Sequence, residues 1–284
     1  MLIPLLRLLA RLPLPWLHRA GAALGWLVYW LSPTYARRLK ENLYASGVCA
    51  EAERAPLLRR VVAETGKGVT ELIAVWFGAD EKVAGFVRCE TWRVVEEARQ
   101  GGKGLIFLTP HLGCFEISAL YGAQRFPITV LYRPPKLRWI EPLMVAGRSR
   151  WQATIAPATL RGVRTLYKAL QRGEAVGLLP DQAPGVGEGV WADFFGRPAY
   201  TMTLVTRLQK TTGAAVIMAF AERLPRGAGY VLHLQAVPAA GLNEATLNRA
   251  IEDMVRRCPA QYLWGYNRYK VPAGAGKPGM RAEE

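Results

Sequence analysis

Two short apolar runs, each ended by a proline and followed at once by polar residues, constrain this chain most. Leu105-Ile106-Phe107-Leu108 leads into Thr109-Pro110-His111, and Ala175-Val176-Gly177-Leu178-Leu179 leads into Pro180-Asp181-Gln182. Uninterrupted runs of this length suit strands buried on both faces of a parallel sheet. Helical patterns fall between them, as in Cys114–Ala123 and Leu160–Gln171, and further strands are expected at Ile128–Tyr132, Ala153–Ala156, Ala214–Phe220 and Tyr230–Val237. The fold class is therefore α/β: a sheet flanked by helices, mixed at its end, where two strands follow each other through Pro225-Arg226-Gly227.

In such a sheet, ligands bind beyond the carboxyl ends of the strands. His111 falls there, and Asp181-Gln182 ends the second run, suggesting one rim built from several loops. Glu116 lies in the first turn of the helix after Gly113. On one continuous helix, residues five apart diverge by about 140°. With His111 on the preceding loop, the chain can fold back so that Glu116 hydrogen-bonds one imidazole nitrogen and leaves the other as a base. No serine or cysteine completes a triad, so the substrate is expected to bring its own hydroxyl.

The other two histidines compete poorly. His18 lies in an apolar segment and His233 on the less apolar face of a strand, and neither has an acid partner in an equivalent setting. The Cys114 thiol, just behind Gly113, is expected to pack under its strand. Gly102-Lys103-Gly104 precedes a strand, whereas a phosphate loop would follow one and open a helix. Arg133, at the end of the Ile128–Tyr132 strand, is either placed to hold a phosphate near His111 or a surface arginine, and Gly147-Arg148-Ser149-Arg150 is a second basic cluster.

The net charge of +15 is spread along all 284 residues, which favours anionic partners such as acidic lipid, a phosphorylated substrate, an acidic carrier protein or nucleic acid. Nucleic acid is set aside because basic and aromatic residues are not grouped on one strand face or helix. The four cysteines show no metal spacing, and free thiols are expected. Helices are also expected at 35–46, 51–77, 92–99, 136–150, 201–211 and 246–257, with a glycine-rich, weakly regular loop at 183–200 that lines an acyl groove or covers the sheet. Residues 1–33 form an apolar, aromatic-flanked segment whose uninterrupted stretch, Ala20–Leu31, is short for a full span; it reads as an in-plane or re-entrant helix first and a short transmembrane anchor second. No cleavage site for a removed signal peptide is expected. Arg37, Arg38 and Lys40 hold the rest on the cytoplasmic side. Residues 34–272 then form one α/β domain, and 273–284 a flexible tail.

His111-Leu112-Gly113-Cys114-Phe115-Glu116 resembles the His-x4-Asp/Glu signature of glycerolipid acyltransferases, in the variant of the lipid A biosynthesis (lauroyl/myristoyl) acyltransferases. Tyr132-Arg133-Pro134, Gly147-Arg148-Ser149-Arg150, Leu179-Pro180-Asp181-Gln182, Phe194-Phe195-Gly196 and the stretch from Pro259 to Lys270 resemble that family's later blocks, in order. Tyr266-Asn267 stands where the family commonly has a histidine. The resemblance implies a glycerolipid-acyltransferase-like fold and transfer of a fatty acyl chain from acyl carrier protein to a hydroxyl of a lipid A precursor of the Kdo-lipid IVA type. The reaction would take place at the cytoplasmic face of a bacterial inner membrane, with no metal and no cofactor beyond the carrier-bound co-substrate. His111 and Glu116 would be catalytic, with Arg133, Arg148, Arg150 and Asp181 on the substrate side, Asp181 either touching substrate or ordering the rim. Two alternatives remain: a lysophospholipid or glycolipid acceptor, and a non-catalytic basic protein of the membrane surface.

Overall fold

The computed structural model describes residues 2–276. The chain opens with α1 (Leu2–Leu9) and α2 (Leu14–Leu31), with Pro15 in the first turn of α2, followed by α3 (Pro33–Ala45) and the long α4 (Arg54–Phe77). Next come α5 (Asp80–Ala84), β1 (Val87–Arg88), α6 (Arg93–Arg99), β2 (Leu105–Leu108) and α7 (Phe115–Ala123). They are followed by β3 (Ile128–Tyr132), α8 (Glu141–Arg148), β4 (Ala153–Pro157), α9 (Leu160–Gln171) and β5 (Ala175–Leu178). The last part holds β6 (Gly189–Phe194), β7 (Arg197–Met202), α10 (Leu204–Thr212), β8 (Ala215–Arg223), β9 (Tyr230–Val237) and α11 (Glu244–Arg257).

Seven strands form one sheet in the order β1-β9-β8-β2-β5-β3-β4. From β8 to β4 all neighbours are parallel, and only the β8–β9 pairing is antiparallel. The carboxyl ends of β2, β3, β4, β5 and β8 therefore share one rim. β2 is buried on both faces as its composition requires: Ile106 and Leu108 enter one core, Leu105 and Phe107 the other. Helix α4 reaches both cores, with Leu57, Val61 and Val62 in the first and Ala74 and Val75 in the second.

The segment expected as an irregular loop at 183–200 contains an antiparallel hairpin, β6–β7. Its two-residue turn puts Phe195 at φ 48° and Gly196 at φ 69°. Both central residues are thus left-handed, the primed turn that matches strand twist, but phenylalanine is an uncommon first residue there and gave no turn signal. Phe194 and Phe195 are buried near Tyr262 and Trp264, so the hairpin covers the core rather than lining a groove. The helix expected over 136–150 is split: a 3-10 turn at Arg138–Ile140 precedes α8, which starts with Pro142 in its first turn.

No helix among the described residues is long and apolar enough to cross a membrane. Instead α2 lies along α4. A Cβ on Gly66 would come within 2.0 Å of the Gly21 carbonyl oxygen, and one on Gly25 within 2.2 Å of the Val62 carbonyl oxygen, so the two backbones touch. Thr70 Oγ1 adds a hydrogen bond to the Leu17 carbonyl at 2.7 Å. The expected tail at 273–284 falls largely outside the described residues; Trp191 Nε1 donates to the Gly276 carbonyl oxygen at 2.9 Å.

Candidate active site

The loop after β2 is fixed by backbone bonds from distant parts of the chain. Thr109 N donates to Leu178 O at 2.9 Å, Gly113 N to Gln261 O at 3.1 Å, Cys114 N to Ala221 O at 2.8 Å and Leu263 N to His111 O at 3.0 Å. Gly113 turns the chain with φ 62°, and a Cβ there would meet the Ala221 carbonyl oxygen at 2.1 Å, so only glycine fits. His111 is thereby held just past β2, beside the end of β5.

Asp181 meets it there. Its Oδ2 accepts the His111 backbone N–H at 2.9 Å, and its Oδ1 lies 2.8 Å from Nδ1. A carboxylate only accepts, so Nδ1 carries the proton and Nε2 keeps its lone pair. Gln182 Nε2 lies 3.1 Å from Nε2 and donates to it. The Asp181 side chain is 2 % exposed and that of His111 14 %, so the ring is shielded on the aspartate side and reachable on the other. Burial alone would raise the Asp181 pKa, but attraction to the His111 ring in its charged form and the hydrogen bonds from its ring and backbone outweigh it and hold the carboxyl below its usual range. Tyr262, buried next to this carboxylate, has its hydroxyl pKa pushed well up by burial and by the Asp181 charge.

The expected His111–Glu116 contact is not made. Pinning of residues 111–114 to β8 and to residues 261–263 keeps the chain from folding back, and the Phe115 ring packs against the imidazole with centroids 4.9 Å apart. Glu116 faces α4 and α8 instead. Its Oε2 accepts from Arg148 Nε at 2.8 Å and from Trp76 Nε1 at 3.1 Å, and Arg148 Nη2 closes the fork on Oε1. Such a two-pronged guanidinium–carboxylate contact is the strongest ion-pair geometry available.

The remaining expected site residues separate. Arg148 sits at the crevice mouth with Thr109 and Phe115, but its charge is met by Glu116. Arg150 turns away from the rim: its guanidinium donates to the carbonyls of Val75 at 2.8 Å and Gly78 at 2.9 Å and pairs with Asp80, closing the carboxyl end of α4. Arg133 is exposed at the end of β3 and forms no ion pair among the described residues. Asp181 is a buried partner of His111, not a surface for substrate. The amides of Gly113 and Cys114 are already bonded to the carbonyl oxygens of Gln261 and Ala221. His18 and His233 do have acid partners, Glu71 at 3.3 Å and Glu222 at 2.8 Å, but His18, on α2, is buried against α4, and His233, on β9, stacks on Phe220.

An apolar crevice runs inward from Thr109 and Phe115, between α7 and the sheet, past Ala119 and Gly177 towards Trp92 and Leu232. Its two sections hold only about 30 and 20 Å³ of free space, enough for a water molecule but not for a chain. Ser118 Oγ, on the inner section, has no hydrogen-bond partner among the described residues. Sequence reasoning passed over Gln182 as a donor and Trp76 and Tyr262 as partners. Gln182 alone left a signal, in the polar pair after the second apolar run.

A mostly parallel sheet covered by helices, with a buried aspartate bonded to a histidine at its carboxyl rim and no serine, threonine or cysteine bonded to that ring among the described residues, is an arrangement suited to general-base chemistry. The chain belongs to the bacterial lipid A biosynthesis acyltransferase family, whose sequence profile matches residues 1–271. It is 25 % identical over 277 residues to the lipid A biosynthesis lauroyltransferase of Escherichia coli K12, covering 95 % of this chain and 90 % of that one. It is 28 % identical to the palmitoleoyltransferase of the same strain, over 93 % of this chain and 88 % of that one. The E. coli myristoyltransferase matches at 24 % over 76 % and 68 % of the two chains. The protein is thus an acyltransferase of lipid A biosynthesis.

Proposed function

We propose that the protein moves a fatty acyl chain from acyl carrier protein to a hydroxyl of a lipid A precursor of the Kdo-lipid IVA type, at the cytoplasmic face of the bacterial inner membrane. The observation that carries this reading is the His111 ring, fixed through Nδ1 by Asp181 and packed against Phe115, whose ring also lines the apolar crevice. The acceptor hydroxyl displaces the Gln182 amide, gives its proton to Nε2 as its oxygen attacks the thioester carbonyl, and Asp181 stabilises the imidazolium. When the tetrahedral intermediate collapses, the C–S bond breaks, and the leaving thiolate takes the proton back from His111. Gln182, freed from Nε2, is the side-chain donor best placed for the oxyanion, since the loop amides are engaged. The acyl tail enters the crevice between α7 and the sheet, which must widen to take it.

Arg148 is oriented by Glu116 towards anionic groups of either substrate, and Arg133 meets a phosphate at the rim. The net charge of +15 supports an acidic donor protein and a phosphorylated acceptor. Acyl transfer by the purified full chain, with acyl carrier protein donors and detergent-dispersed lipid A precursor, tests this. His111→Ala should lower kcat by roughly 10²–10⁴-fold without changing the fold, and turnover at the unsubstituted rate would overturn the base assignment.

A further inference from the structure

The rim carries a second apolar and cationic surface that neither the chemistry above nor the N-terminal helices use. After β3, Lys136, Leu137, Arg138 and Trp139 alternate cation and apolar side chain, all exposed. Leu160, the first residue of α9, is 82 % exposed, against 56 % for Leu137 and 61 % for Trp139. The two loops leave the rim together: β3 and β4 pair up to Tyr132 and Pro157, and Ala158 N donates to the Tyr132 carbonyl at 2.7 Å. Arg161 and Arg164 stand beside Leu160 on α9, and none of Lys136, Arg138, Arg161 and Arg164 forms an ion pair among the described residues.

We propose that this surface, built from the β3–α8 loop and the start of α9, inserts into an anionic bilayer as an anchor separate from the N-terminal helices. Strand order gives it meaning. At the other side of the rim, Pro15 of α2 lies against Gly227, just after β8. In the order β8-β2-β5-β3-β4, the His111 and Asp181 loops fall between that point and the new surface. A bilayer touching both would face the catalytic ring, which a membrane-lipid acceptor requires; in this sense the inference rests on the proposed function. Trp and Leu side chains projecting singly between unpaired cations suit partition into the interfacial layer of an anionic membrane. Binding of a folded acidic partner is the other outcome that the test separates.

The test is flotation of the full chain with phosphatidylethanolamine/phosphatidylglycerol vesicles, comparing wild type with Leu137→Ser/Trp139→Ser/Leu160→Ser and with Lys136→Gln/Arg138→Gln/Arg161→Gln. Each set should cut the partition coefficient tenfold or more, leave the melting temperature unchanged, and leave transfer to detergent-dispersed acceptor within about twofold of wild type. Unchanged partition in both sets would overturn the proposal. So would unchanged partition with weakened binding of acyl carrier protein, which would assign the surface to that partner. Absence of transfer by wild-type protein in detergent would sink the proposed function instead, leaving the vesicle result to be read by itself.

Discussion

Asp181 contacts His111 twice, once at the ring and once at the backbone, so it fixes both where the residue sits and which nitrogen carries the proton. Glu116 has a different task. With its oxygens shared between Arg148 and Trp76, it is a positioning residue for a guanidinium at the crevice mouth. Glu116→Gln should therefore behave like Arg148→Lys. Both are expected to lower stability by about 1–3 kcal/mol, the first because the Arg148 charge loses its charged partner and the second because a lysine cannot make the two-pronged contact, and to raise KM for the lipid acceptor. Their effects should be non-additive in the double variant, with the acid limb of the kcat pH profile unmoved. A Glu116→Gln enzyme whose acid limb shifts would mean that the carboxylate acts on the imidazole after all. Asp181 was legible in the sequence as the polar residue after the second buried run. Its pairing with His111 was not, because local spacing shows only chain neighbours, and the bonds that stop residues 111–114 from folding back come from Ala221, Gln261 and Leu263.

Among the elements, α2 and α4 show how much can depend on an absent side chain. Their backbones meet at Gly21, Gly25 and Gly66, while the far side of α2 leaves Trp16, Leu27, Val28 and Trp30 exposed. Gly66→Val puts carbon where the Gly21 carbonyl oxygen lies, and the helices must part. A loss on the order of 3 kcal/mol is expected from overpacking a tight contact, read as a lower melting temperature, whereas Gly68→Ala on the same helix, where the nearest atom would lie at 3.6 Å, should lose far less. Equal losses in the two variants would contradict a close α2–α4 contact. Helical spacing revealed α4, α9 and α11 to within a few residues, and alternation found β9. The β6–β7 hairpin stayed hidden because Phe195, rather than asparagine or glycine, takes the first left-handed turn position.

In the whole molecule, the N-terminal helices are tied to the sheet by a buried ion cluster drawn from four elements. Arg223, at the end of β8, forks onto Glu71 at 2.6 and 2.7 Å and reaches Glu64 at 2.7 Å, while His18 and Tyr230 also bond Glu71. Burial pushes the Glu71 pKa upward, but Arg223 and the hydrogen bonds override it and bring it down to about 2 from 4.5. A depressed folded value means that the unfolded chain binds the proton more readily. The stabilisation, on the order of 3 kcal/mol, is complete above pH 4.5 and fades as pH falls towards 2. Acid titration of stability should show this loss in wild type and much less of it in Glu71→Gln; equal acid sensitivity would remove the cluster from the account. Nothing in the sequence joined His18, Glu71, Arg223 and Tyr230, which lie far apart in the chain, although the apolar N-terminus and the α/β sheet were both readable.

The steering of His111 by Asp181 can be observed without turnover, in the low-field proton and nitrogen resonances of histidine-labelled protein, with His18 and His233 assigned by substitution. An Nδ1–H signal from His111 should be present in wild type, persist in Glu116→Gln and vanish in Asp181→Asn. A signal that survives in Asp181→Asn and is lost in Glu116→Gln would contradict the account at its centre.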